Sequence, residues 1–154
     1  MIQEMKIEEI KKILKNVSPQ TKIYLGCDSE RFKKNNIWWS SYATVVVIHI
    51  DGCHGCEIFG TVETEKDLDF RPNKPTLRLM SEVYRVSKLY LDLKDVLFDK
   101  DVEIHLDINP NEEFGSNIVY QQAIGYIRGV CQKEPVLKPN SFAASKVADR
   151  FPSI

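Results

Sequence analysis

Residues 103–111 read EIHLDINPN. Ile104 and Leu106 alternate with polar neighbours, the period of a strand with one apolar face. The run then stops on Asp107, ahead of Ile108, Asn109 and Pro110. A carboxylate at the end of a buried strand is costly unless something compensates it. An Asx turn before the proline would do so, and so would a cation held at the strand end. Which of the two applies depends on what the other strands bring beside Asp107.

TKIYLGCD (21–28) sets Ile23, Leu25 and Cys27 against Lys22, Tyr24 and Gly26, which predicts a strand finishing at Asp28. Lys33-Lys34-Asn35-Asn36 turns the chain into the β-rich run IWWSSYATVVVIHI (37–50). Asp51-Gly52 opens a hairpin loop through Gly55, and CEIFGTVE (56–63) returns as a third antiparallel strand. A polar loop with Pro72 and Pro75 leads to a helix over about 76–98, where Leu79, Val83, Val86, Tyr90, Leu93 and Leu97 form one apolar stripe. VEIHLD (102–107) is the fourth strand.

Ser116 or Asn117 is expected to cap the next helix, in which Val119, Ala123, Ile127 and Val130 face one way. Gly125 and Gly129, one turn apart, should let that helix approach the sheet closely. EPVLK (134–138) predicts a short fifth strand, and SFAASKVADRF (141–151) a final helix capped by Asn140 or Ser141. Residues 2–17 predict a leading helix with Ile10, Ile13, Leu14 and Val17 on its packing face. The order is β-β-β-α-β-α-β-α after that first helix. It implies an α/β fold (α+β by some schemes): a five-stranded mixed sheet flanked by helices, with right-handed crossovers.

The 154 residues fit a single domain over 1–154, with 1–19 as a helical extension. The 43% hydrophobic and 28% charged fractions are those of a soluble globular protein. No apolar run is long enough to cross a bilayer, and MIQEMKIEEIKKILKNV lacks the apolar centre of a signal peptide, so a cytoplasmic location is expected. Cys27, Cys53, Cys56 and Cys131 are too scattered for a disulfide framework. The net charge of −1 argues against nucleic-acid binding by bulk electrostatics, so any phosphate partner must meet a local patch.

Four of the 22 acids resist a surface explanation. Asp28 and Asp107 each end a strand, Glu82 lies on the apolar stripe of the long helix, and Asp149 sits in an alanine-rich final helix. Singly, each has a plain reading: turns for the aspartates, Arg78 or Arg85 as partner for Glu82, Arg150 or a lysine for Asp149. Together they imply convergence at one end of the sheet. If the first and fourth strands are neighbours, Asp28 and Asp107 end side by side and need a counter-charge. Mg²⁺, a hard cation that keeps several waters, is suited to such a set, and carboxylate-held metal pairs carry out phosphoryl chemistry.

This placement resembles the ribonuclease H-like superfamily, whose members carry acids on the first strand, the first helix after the hairpins, the fourth strand and the last helix. The segments GCDS (26–29), RLMSEV (78–83), HLDINPN (105–111), AIGYIRG (123–129) and KPNSFAASKVADR (138–150) look like those of the YkuK-type ribonuclease H-like proteins of bacteria and their phages. The similarity runs from about residue 20 to the C-terminus. It implies a divalent-metal-dependent nuclease acting on RNA, RNA–DNA hybrid or structured DNA. Asp28, Glu82, Asp107 and Asp149 would be its catalytic residues and metal ligands, with Asp28 bridging two Mg²⁺ or Mn²⁺ ions. Ser29, Arg78, Asn109, Lys146 and Arg150 would be substrate contacts.

Two other functions stay open. Asp28-Ser29-Glu30 spells the D-x-E of proofreading-type 3′–5′ exonucleases, but Ser145 stands where those enzymes carry Tyr or His four residues before the last aspartate, and Glu82 would go unexplained. The weakly acidic balance also suits a non-catalytic module that binds nucleic acid or protein. Cys53-His54-Gly55-Cys56, with His49 nearby, is read as a hairpin loop with reduced thiols rather than a zinc site, because no second ligand pair follows. Of Trp38 and Trp39, one should face inward and the other could stack on a base or meet a second copy in a dimer. Lys66, Arg71, Lys74 and Arg78, with Lys138, Lys146 and Arg150, are the candidates for a local basic patch. His105 is read as a packed or hydrogen-bonded histidine, and the leading helix as a packing cap.

Overall fold

The centre of the computed structural model is β2 (Lys22–Lys34), flanked on one side by β3 (Ile37–His49) and on the other by β5 (Asp101–Leu106). The described residues are 2–52, 54–67, 76–110 and 120–150. Together with β1 (Ile2–Glu4) and β4 (Cys56–Lys66), these strands form one five-stranded sheet in the order β1-β4-β3-β2-β5. β2, β3 and β4 are antiparallel neighbours, whereas β2–β5 and β1–β4 are parallel. This is the mixed α/β sheet that the sequence predicts.

β2 does not stop at Asp28 but continues to Lys34, paired with β3 down to Lys34↔Ile37. Past the acids its side chains are largely polar, so continuous backbone pairing with β3, rather than burial, sustains this stretch. Asn35 and Asn36 close the hairpin with φ of 52° and 63°, the left-handed pair of a tight two-residue turn.

The ends of the chain depart from expectation. Ile2–Glu4 is a strand, not the first turn of a helix: it pairs with Ile58–Gly60, and the Met5 N–H donates to Gly60 O at 2.9 Å. The open edge of β4 offers ready hydrogen bonds, which outweigh the helical preference of a fraying first turn. Helix α1 therefore covers Ile7–Asn16. EPVLK forms no full strand. Val136 makes an isolated bridge to His105, and the Lys138 N–H reaches Ile108 O at 3.1 Å. Pro135 and Pro139 lack the donors to extend the ladder. The sheet reaches five strands through β1 instead.

One face of the sheet carries α2 (Thr76–Leu97), whose Leu79, Val83, Val86, Tyr90, Leu93 and Leu97 are all buried, together with α1 and α3 (Tyr120–Cys131). Ile10 and Leu14 bury the inner side of α1, as a packing cap requires. The expected caps Ser116 and Asn117 lie outside the described residues, as does Val119. On the opposite face, Ala143 and Ala148 pack with Val45 and Val47.

That C-terminal segment is not a regular helix. A π-helical turn over Ala143–Val147 passes into a 3₁₀ turn over Ala148–Arg150. Its small residues lie hard against β2, and the packing sets its winding. A Cβ on Gly26 would lie 2.6 Å from Ala143 C and 2.6 Å from Ala144 N. Gly26, not Gly125 or Gly129, is thus the glycine of close approach. Both α3 glycines are exposed, with nothing within 4 Å of an added Cβ.

Opposite effects of one substitution should follow. Gly26→Ala should cost about 2 kcal/mol, lowering the thermal midpoint by roughly 4–8 °C. Gly125→Ala should stabilise the protein by about 0.5–1 kcal/mol, as expected for an open helix position. Urea melts of both variants against the parent check the pair.

Candidate functional site

β2 and β5 run parallel with Cys27 opposite Leu106, so the next positions, Asp28 within β2 and Asp107 just past the end of β5, stand side by side. They share a sheet face with Tyr24, Gly26 and His105, the face that receives the C-terminal segment. Their carboxyl groups are within hydrogen-bonding reach of each other. Burial, the Asp107 charge and the more distant Asp149 push Asp28 up to about 8, so near neutrality it holds a proton.

Glu82 arrives from α2. It is 4% exposed, and burial followed by the Asp28 charge raises it well above the usual carboxylate range. Its partner is Ser29, whose hydroxyl donates to Glu82 Oε2. Arg78 Nη1 in turn donates to Ser29 O and Ser29 Oγ, both at 3.3 Å. Ser29 and Arg78 therefore stand beside the acids as supports of Glu82, and neither Arg78 nor Arg85 pairs with Glu82 as an ordinary helix-surface ion pair would.

Lys138 Nζ lies 2.9 Å from Asp107 Oδ1. The ammonium is at ion-pair distance but outside hydrogen-bonding geometry, because the same buried oxygen accepts no hydrogen bond. From the sequence alone Lys138 belongs only to a diffuse basic patch. Its contact with Asp107 depends on the hydrogen bond between Lys138 N–H and Ile108 O, which joins segments far apart in the chain.

His105 is fully buried, and its pKa is lowered chiefly by burial. Nδ1 accepts the Ala143 N–H at 3.1 Å, which leaves Nε2–H to donate to Glu103 Oε1 at 2.9 Å. It is a packed histidine, edge-on to Phe142 at 4.8 Å, that pins the segment carrying Asp149. Asp149 itself is exposed and acts on Asp28 through its charge. Asn109 and Lys146 line one open groove beside the acids. The side chain of Arg150 lies outside the described residues.

A family model described as Ribonuclease H-like matches residues 5–153. The chain belongs to the ribonuclease H-like family. Neither the curated proteins nor the solved structures gave a match. Membership agrees with the sheet order and with the YkuK-type resemblance of the sequence.

Two observations bear on whether this ribonuclease H-like rim suits a hard divalent cation. The donors are all carboxylates, and two of them are raised for want of counter-charge, while Asp107 keeps an orphaned buried oxygen. The chemistry of the set fits. Its geometry is not a finished cage: among the described residues, no three acid, histidine or cysteine donors stand grouped to hold a metal ion. Glu82 is turned to Ser29 and Asp107 to Lys138.

Other motifs end up elsewhere. Cys53 and the basic residues Arg71 and Lys74 lie outside the described residues, while Cys56 is exposed and His54 bonds Asp51. Trp39 is half-buried, and Trp38 is exposed with the Arg31 guanidinium 4.4 Å above its ring. No described helix is long and apolar enough to cross a membrane.

Asp28 and Glu82 have raised values, so their share of stability is present below the unfolded carboxylate range, near pH 4, and is lost as pH rises; for Asp28 the loss runs through about 8. Asp28→Asn and Glu82→Gln should therefore melt higher than the parent in chelator. The gain should be near zero at pH 4 and grow to about 3–6 °C by pH 9, roughly 1.5 kcal/mol. Differential scanning calorimetry across that range tests the sign.

Proposed function

We propose that this ribonuclease H-like protein hydrolyses phosphodiester bonds of nucleic acid with the help of divalent cations. The observation that carries the reading is the contact between Asp28 and Asp107, two half-buried carboxyl groups facing each other with Glu82 and Asp149 in electrostatic range. A structural pair of acids gains nothing from this placement, since repulsion and desolvation both oppose it. A cation of the Mg²⁺ class, once bound, supplies the missing counter-charge and an activated water for attack on phosphorus.

In this reading Asp28, Asp107, Glu82 and Asp149 hold the cations. The two strand aspartates provide a rigid base because adjacent parallel strands fix their separation. Ser29 and Arg78 orient Glu82, so loss of either loosens that ligand. His105 stays neutral and turned away into its own hydrogen bonds, which leaves it no proton-transfer part. Buried Glu82 beside Asp28, together with exposed Glu30, favours this arrangement over the D-x-E exonuclease pattern.

Purified protein incubated with labelled RNA–DNA hybrid, single strands or branched DNA, in Mg²⁺ or Mn²⁺, should cut at least one of them. Asp107→Asn should lower the rate at least 100-fold, in line with loss of a metal-held electrostatic contribution. Mn²⁺ at 100 times its dissociation constant should stabilise the parent by about 2.7 kcal/mol, and neither Asp28→Asn nor Asp107→Asn should respond. Equal cleavage by parent and Asp107→Asn would identify a contaminant. No cleavage and no Mn²⁺ response would leave the non-catalytic binding module as the reading, which the net charge of −1 already suits.

A further inference from the structure

Beside Asp107 the chain leaves a groove of about 850 Å³ lined by Asn109, Pro110, Lys138, Pro139, Ser145 and Lys146. Its size is that of a site for a nucleotide-scale ligand rather than a lone ion. The walls come from three separate segments: the continuation of β5, the Lys138–Pro139 stretch and the C-terminal π-helical turn. Among the described residues its lining carries two lysines and no acid, although the chain as a whole is weakly acidic and the rim next to it is rich in carboxylates.

The two lysines differ in setting. Lys146 is exposed on the outer wall. Lys138 is held by its backbone to Ile108 and spans groove and rim, with Nζ 2.9 Å from Asp107 Oδ1. That ammonium sits out of hydrogen-bonding geometry with Asp107, so it can turn to a second anion without losing a well-formed bond. Ser145, whose Oγ donates to Ser141 O at 2.9 Å, adds a polar but uncharged side chain to the wall.

We propose that this groove binds the phosphodiester backbone of the strand running away from the acidic rim, with Lys138 on the phosphate nearest Asp107 and Lys146 on the next one outward. This rests on the nucleic-acid reading given above but not on turnover. The positive wall attracts phosphate where the rim alone would repel it, and two phosphate contacts give positioning without sequence preference. Backbone chemistry is common to RNA and DNA, and an open groove accepts either.

Fluorescence anisotropy in EDTA provides the test, with 12-nucleotide single-stranded RNA, the same sequence as single-stranded DNA, and a blunt duplex of equal length. Lys138→Gln and Lys146→Gln should each weaken binding of at least one single strand about 3–10-fold. Each should also flatten the plot of log affinity against log salt by about 0.7, the release expected for one single-strand phosphate. Lys12→Gln, on the exposed side of α1, controls for bulk charge. Unchanged affinity and slope in both groove variants, changes matched by Lys12→Gln, or no binding by the parent, would overturn the groove assignment. A groove that binds in EDTA while no cation and no cleavage are detected would sink the hydrolase reading alone. Cleavage that needs Asp107 with unaltered salt slopes would sink the groove alone.

Discussion

The parallel pairing of β2 with β5 is the constraint on which the rest depends. Once Cys27 lies opposite Leu106, the residues that follow them must lie side by side, and both are aspartates. Strand spacing is set by backbone hydrogen bonds at roughly 4.8 Å, so the two carboxyl groups cannot relax apart by much. Repulsion is therefore built into the register. Sharing a proton lowers it, and Lys138 lowers it further from the side of the groove. Glu82 adds a third acid, itself buried, which the Ser29 hydroxyl and the field of Arg78 moderate.

The elements that build this rim were legible because their signals repeat along the chain. The α2 stripe has six apolar positions at helical spacing, so a carboxylate on it stands out even with Arg78 and Arg85 as candidate partners, and Glu82 is indeed buried. Asp28 and Asp107 were visible as charges that end alternating strands. What sequence could not show were contacts whose partners are remote. Ile2–Glu4 is a strand only because β4 has an open edge for it. The Lys138–Asp107 pair exists only because Lys138 is hydrogen-bonded to the continuation of β5. The glycine pair on α3 fitted a close-packing pattern, yet a single glycine in β2 has that role. A small residue says that close approach is permitted, not which element makes it.

The C-terminal segment shows how local irregularity serves the site. A regular α-helix held at the same distance would meet the sheet with β-carbons. Here Gly26 lets the backbone of Ala143 and Ala144 touch β2, and the π-helical turn keeps Ala143, Ala144 and Ala148 buried together. His105 fastens the turn by accepting the Ala143 N–H, which is possible only in the neutral tautomer whose other nitrogen donates to Glu103. Asp149 and Lys146 are thereby carried on one short piece of chain, the acid acting on Asp28 and the base on the groove wall.

Stability and function pull in opposite directions at such a rim. Packing would be better served by amides or aliphatic side chains at positions 28 and 82, since neither repels its neighbours. The protein keeps acids there and blunts their charge by reversible means: a shared proton, a serine hydroxyl and an ammonium in imperfect geometry. None of these needs more than a side-chain rotation or loss of a proton to be withdrawn. A set of donors already locked around one point would have no protein partners left to satisfy it when empty, and its desolvation would be borne in full. Donors that rest on exchangeable partners are less costly to maintain, and the cation proposed above would have to displace those partners to bind. In the proposed function that displacement would free the Lys138 ammonium beside the groove, coupling the two halves of the site through one side chain.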